Sequence, residues 1–337
     1  ATHVDPLTLR MTPQPGATAD DTKLISADFD ALEVLNPGDD YLDGSATLAH
    51  GKFNDWFTLL SRGLLVAGTG VSDTHYGLLA TGWRTWVDVG VDEPSQLDPT
   101  VLSTRLNAMR AVTSNGPFVT ARAYRVDGTG AIVTAPVGIG GTVPPDAREL
   151  GVTVEVQVPD YLDVTRVERY LHTTADDGAC PLDPMSPRAR TTRVACGGVT
   201  NSNWPAASIS ATQAVTLTAG DRQLVTTDGA QSFYRYRKAV TFRLPAPTTD
   251  NWLVAMVYGS RSLAPLLYPY PGGGPIATPF AFTNPILIDA DGNGYDHPPF
   301  ARVRSRVQQA PLPLPLEPRR LEPGEQVRRW GEAFHTH

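Results

Sequence analysis

No stretch of this chain approaches the roughly 18 consecutive apolar residues that a membrane-spanning helix needs, so no segment reads as a membrane span. A basic surplus is also lacking: 28 Lys and Arg stand against 35 Asp and Glu, for a net charge of −7. That excludes the electrostatic footprint of a nucleic-acid-binding protein. Cysteine is scarce, with Cys180 and Cys196 alone in a polar, turn-forming segment (DDGACPLDPMSPRARTTRVACGGVT). Two thiols with no histidine nearby do not make a four-ligand zinc site. They can form a disulfide, worth about 3 kcal/mol for a loop of this size, or remain a reduced pair. The exposed, turn-rich surroundings favour the disulfide, and hence an extracytoplasmic (periplasmic or secreted) setting. The opening ATHVDPLTLR has neither the basic start nor the apolar core of a signal peptide, so any export signal would be removed or lie upstream.

What the chain has in quantity is glycine and proline, 30 of each, set between short β-branched runs. Its 337 residues suffice for two domains with separate cores. From Asp28 the run DFDALEVLN reads as a buried strand ended by Asn36-Pro37-Gly38. KFNDWFTLLSRG reads as a helix, with Phe53, Trp56, Phe57 and Leu60 at helical spacing and Gly63 placed to cap it. LLVAGTGVSDTHY predicts a strand over Leu64 to Ala67 running into a glycine-broken loop. RTWVDVGV predicts a short strand. Leu102, Leu106, Met109 and Val112 predict a helix stopping at Ser114-Asn115-Gly116, and PFVTARAYRV returns to strand. Beyond about residue 125 the helical period vanishes and alternating β-branched and aromatic runs predict a β-sandwich. From Pro298 the chain is Pro- and Arg-rich and reads as an extended tail.

One segment carries chemistry. In Gly70-Val71-Ser72-Asp73-Thr74-His75, side chains two apart on an extended backbone point the same way. Asp73 and His75 thus offer a carboxylate and an imidazole together at the C-terminal end of a buried strand, where α/β barrels place their reacting groups. A hard oxygen with a borderline nitrogen suits Zn, Mn or Fe; the competing reading is an Asx-type turn at Asp73 with His75 exposed beside it.

The order of segments extends this reading. EVLN after a strand, the DWFTLLSRG helix, the strand into GVSDTH, the RTWVDV strand, a helix with TSNGPFV, and much later AFTNPILIDADGNG together resemble the PHP (polymerase and histidinol phosphatase) superfamily, in the branch that includes carbaryl hydrolase. The likeness covers about residues 28–123, and 279–296 more weakly. It implies a metal-dependent hydrolase in which Asp73 and His75 are the last two metal ligands, acting on a phosphoester, ester or carbamate in a small molecule. It implies an α/β plus all-β chain: the C-terminal part of a PHP-type β/α barrel over 1–124, a β-sandwich over 125–297, and a tail over 298–337. The family's opening His-x-His strand has no counterpart before Asp73: His3 and His50 are unpaired, and Asp5, Asp39, Asp40 and Asp43 lack ligand-like spacing. The expectation is that an upstream segment or a separate chain completes the barrel. A non-catalytic secreted binding or structural protein carrying a degenerate PHP remnant is the rival reading.

Several lesser signals have bland alternatives. Glu33 ends its strand at the same side as the candidate metal and can orient a ligand or make a structural contact. His50 can line the cleft or sit in a solvated loop. Trp83 and Trp86 flank Arg84 as an aromatic wall or as core. Asp289, Asp291 and Asn293 match the first half of a calcium loop, D-x-D-x-N-G, but Phe300 holds the position of the closing Glu. A plain Asp/Gly turn is the simpler reading, and any calcium there is structural. His335-Thr336-His337 follows a charged tail and reads as frayed. VGIGGTV and YPYPGGGP precede no helix and read as turns rather than phosphate loops. Ser72 lacks the strand-to-helix elbow of a nucleophilic serine.

Overall fold

Strict alternation from Leu150 to Pro159 fixes the first sheet, because side chains two apart share a face. Val152, Val154, Val156 and Val158 are buried while Thr153, Glu155 and Gln157 face outward. In the computed structural model the described residues are 4–5, 10–11, 29–35, 52–61, 63–72, 82–171, 209–263 and 278–295. The chain divides into two units, Ala1–Ala301 and Arg302–His337, and all described residues lie in the first. Two short strands near its start, β1 (Val4–Asp5) and β2 (Arg10–Met11), form an antiparallel ribbon of their own.

The first sheet has five strands. β10 (Leu150–Pro159) lies at its centre between β7 (Phe118–Arg125) and β14 (Gln231–Leu244), with β8 (Val137–Gly138) and β13 (Arg222–Asp228) outermost. Its register sets Val154 opposite both Ala121 and Val240, so one row of small and β-branched side chains faces inward.

The second sheet runs β12 (Ile209–Ala214), β11 (Arg166–Leu171), β15 (Asn251–Tyr258), β16 (Phe280–Thr283), β6 (Ala111–Ser114), β5 (Arg84–Val87). β17 (Ile286–Ile288) also pairs β15, and lies parallel to β9 (Thr142–Val143). The two inner faces meet in an aliphatic core that joins Val119, Val152 and Val154 to Val167, Leu253, Ala255, Val257 and Ile286. The two sheets pack face to face as a sandwich, in keeping with the expected mixed, sheet-rich class. Strands β5, β6 and β7 are hydrogen-bonded members of these sheets.

The outer face of the second sheet is covered by a β-α-β layer. β3 (Ala31–Leu35) and β4 (Ala67–Gly70) pair in parallel, Ala31 opposite Ala67, with α1 (Lys52–Ser61) between them in sequence. Parallel neighbours require such a crossover. Phe53, Trp56, Phe57 and Leu60 face down from α1 onto Trp252, Val254 and Phe282. Gly63 ends the helix as expected: at φ 73° its N–H donates to the Leu60 carbonyl while Leu64 N–H reaches Leu59, a Schellman closure.

Two expectations are corrected. The second helix, α2 (Pro99–Asn107), stops well before Val112: Met109 turns left-handed at φ 57° and residues 111–114 are strand β6. Met109 and Val112 belong to different cores, on opposite faces of the second sheet. Their helical spacing was coincidental. The strand expected over Leu64 to Ala67 instead spans Ala67–Gly70, so its glycines are strand residues, not a loop.

Candidate functional site

The C-terminal end of β4 is the place to which the sequence points. Gly70 is its last residue, Val71 and Ser72 follow, and Val71 N–H still donates to the Leu35 carbonyl of β3 (3.0 Å). Asp73 and His75 come immediately after and lie outside the described residues, as do His50, Cys180, Cys196 and the tail with His335 and His337.

Four features build this end of β4. Glu33 on β3 is paired in register with Thr69, whose hydroxyl donates to the Leu32 carbonyl (3.2 Å). Glu33 is half-buried and engaged. Gly68 is read by the side chain of Asn284, which is fully buried: Oδ1 accepts from Gly68 N–H (2.7 Å) and Nδ2 donates to the carbonyls of Gly68 and Ala111 (3.0 Å each). Gly70 is held by Thr85 of β5, whose hydroxyl accepts from its N–H (3.0 Å) and donates to its carbonyl (2.9 Å). Trp83 lies close by, buried against Phe280 with ring centroids 5.9 Å apart.

The two tryptophans lie in different surroundings. Trp83 is core, whereas Trp86 is 48% exposed and meets Phe118 edge-on. Arg84 is exposed on β5 opposite Ser114. Asn115 is not a helix stop: its side chain bridges to β16, donating to Thr278 and accepting from Phe280 N–H. Asn284 and Thr85 went unrecognised in the sequence. An isolated Asn or Thr carries no positional signal until a partner strand is known.

A second cluster lies after β17. The Asp289–Gly294 turn is closed by its own backbone: Asp289 accepts from Gly292 and Gly294 N–H (2.7 and 3.1 Å), and Asp291 from Asn293 N–H (3.1 Å). Gly292 and Gly294 adopt φ 87° and 90°, which glycine tolerates without strain. Asp250, just before β15, joins it and accepts from Ala290 N–H (2.8 Å). Asp250, Asp289 and Asp291 each offer an oxygen within 4.8 Å of the others, and the first two are buried. Asp250 had no motif to announce it. Asn293 turns its amide to Asp291 (2.9 Å).

Comparison of the chain with family models, curated proteins and solved structures gave no match.

Proposed function

We propose that this chain carries the C-terminal part of a PHP-type barrel in a metal-dependent hydrolase, with Asp73 and His75 as metal ligands. The observation that carries the reading is the parallel β3–β4 pair, whose second strand ends at Gly70 and hands on directly to the Ser72-Asp73-Thr74-His75 run. In parallel α/β layers, reacting groups gather beyond the carboxyl ends of the strands. A carboxylate oxygen and an imidazole nitrogen suit Zn, Mn or Fe in kind. In number they fall short of the three protein ligands usual for a catalytic zinc, so the remaining ligands come from an upstream segment or a separate chain. A divalent ion in such a site lowers the pKa of water and neutralises charge developing on the attacked oxygen. The substrate class is a small-molecule phosphoester, ester or carbamate, and the sandwich is the scaffold on which the layer rests. An extracytoplasmic setting follows if Cys180 and Cys196 form a disulfide.

Metal content of the purified chain tests this, together with hydrolysis of aryl phosphate and aryl ester substrates. Stoichiometric Zn, Mn or Fe that is lost in both Asp73→Ala and His75→Ala supports the hydrolase. No metal and no turnover, with or without the upstream coding region, supports the non-catalytic binding protein, a reading favoured by the shortage of ligands.

A structural Ca²⁺ in the 289–294 turn is a separate proposal. It is favoured by the convergence of Asp250 on Asp289 and Asp291, since Ca²⁺ prefers clustered carboxylate oxygens. Binding to the folded state alone raises the melting temperature with the logarithm of ligand concentration once that exceeds the Kd. The rise with Ca²⁺ should vanish in Asp289→Asn; an equal rise in that variant contradicts the site.

A further inference from the structure

β13 forms one rim of the first sheet and is exposed at all seven of its residues. Among the described residues only β14 pairs with it. β14 outruns its other neighbour: residues 235–244 pair with β10, whereas 231–234 reach past the end of β10 and meet β13 alone. β13 and the start of β14 thus stand out from the sandwich as a hairpin.

An open strand edge offers a row of N–H and C=O groups to any extended chain, and lysine, proline or a bulge commonly guards it. The β13 sequence, Arg-Gln-Leu-Val-Thr-Thr-Asp, has neither lysine nor proline. Instead Leu224 and Val225, 57% and 54% exposed, stand at its middle, and Phe233 is exposed across the ladder from Thr226. The register with β14 shifts between Leu224 and Thr226, so Val225 sits in a bulge with no partner on β14. A bulge adds local twist, but a two-fold mate carries the same bulge and the same twist.

Read backwards, this strand complements itself. Laid antiparallel to another β13 about Val225, Arg222 faces Asp228 at both ends, Gln223 faces Thr227, Leu224 faces Thr226, and Val225 faces its own counterpart. Opposite charges directly across a ladder stabilise the pair, and like charges destabilise it. Arg222 gives its Nε and Nη2 to Asp160 (3.2 and 2.8 Å) and lies over the Tyr234 ring. Its Nη1 makes no hydrogen bond among the described residues, so a second carboxylate can be received there. We propose that β13 is the docking edge for a second copy of this chain, which joins two first sheets through a two-fold, antiparallel β13–β13 pair. Such an interface is isologous, with the same patch used by both partners. One strand pair is a small interface, so the dimer is reversible and grows with concentration. The inference is independent of the metal reading above.

Sedimentation velocity of the full chain over a range of concentrations tests it, and a monomer–dimer equilibrium is expected. Val225→Lys and Val225→Glu each set like charges against one another on the two-fold axis, at an exposed position outside the β13–β14 ladder. Each variant alone should dimerise about tenfold more weakly than the parent. Their equimolar mixture sets Lys against Glu and should recover the dimer, which a merely misfolded hairpin would not do. A parent chain that stays monomeric, single variants that dimerise as strongly as the parent, or a mixture that remains monomeric would each overturn the proposal.

Discussion

The two faces of the second sheet are built from different chemistry. Its inner face meets the first sheet through valine, leucine, isoleucine and alanine, with Phe242 the one buried aromatic among the described residues of that core. Its outer face meets α1, β3 and β4 through Phe53, Trp56, Phe57, Trp83, Tyr170, Trp252, Tyr258, Phe280 and Phe282. Two pleated sheets pack about 10 Å apart, and rows of β-branched side chains fill that gap evenly. A single helix lying on a sheet leaves a wider, uneven space, which large rings fill in edge-on contacts such as Phe53 on Phe282 (5.0 Å, 80°). β15 serves both faces and is buried along its whole length.

The difference predicts unequal losses. Trp56 is fully buried, stacks on Phe57 (5.4 Å) and donates its indole N–H to the Val66 carbonyl (2.9 Å). Trp56→Ala should cost about 3–5 kcal/mol and accelerate amide exchange in α1 and β4 more than in β10. Val154→Ala, in the aliphatic core, should cost about 2 kcal/mol and spread its effect across both sheets. Equal losses with the same exchange pattern would erase the distinction between the faces. Gly70→Ala tests how tightly β4 is seated. Its new methyl must displace Thr113, and overpacking of this kind costs about 1–3 kcal/mol, read by urea denaturation.

Alkali should act on the outer face. Burial pushes the Tyr258 hydroxyl well above the usual phenol range, and the nearby Tyr170 and Glu168 add to it. Burial and the Glu168 carboxylate, which accepts from the Tyr170 hydroxyl at 2.6 Å, push Tyr170 up likewise. A folded-state pKa above the unfolded value of about 10 leaves stability intact below pH 10 and erodes it as pH rises toward the folded value. Stability measured from pH 9 to 11 should therefore fall in the parent chain and fall less steeply in Tyr258→Phe. Parallel curves would contradict the burial of that hydroxyl. The smallest effect is expected at Thr113, whose hydroxyl is buried with no hydrogen-bond partner among the described residues. Thr113→Val should be neutral or stabilising by up to about 1 kcal/mol, and a clear loss in thermal melting would show that the hydroxyl is used.

The same contrast decided what the sequence made legible. Val152, Val154, Val156 and Val158 alternate with polar residues, so β10 and its place in a sandwich could be read directly. Phe53, Trp56, Phe57 and Leu60 gave α1, and Gly63 gave its end. Where an element is covered on both faces, period two disappears. β6 is buried at all four positions, and its Val112 fell into a helical spacing with Met109. β4 is two glycines in four residues, and what makes them strand residues, the pairing with β3 and the close approach of Trp56 and Thr113, comes from distant parts of the chain. Asp250 joins Asp289 and Asp291 through a strand pairing that no local spacing encodes. The PHP likeness drew attention to the end of β4, but the Asp73–His75 geometry itself is not among the described residues.

A crystal structure of the chain grown with Zn²⁺, with anomalous data at the zinc edge, would test the central claim most directly. The account predicts a peak bonded to both Asp73 and His75 at about 2.0–2.2 Å, just beyond Gly70. Zinc bound only at Asp250, Asp289 and Asp291, or Asp73 and His75 turned away from one another, would contradict it.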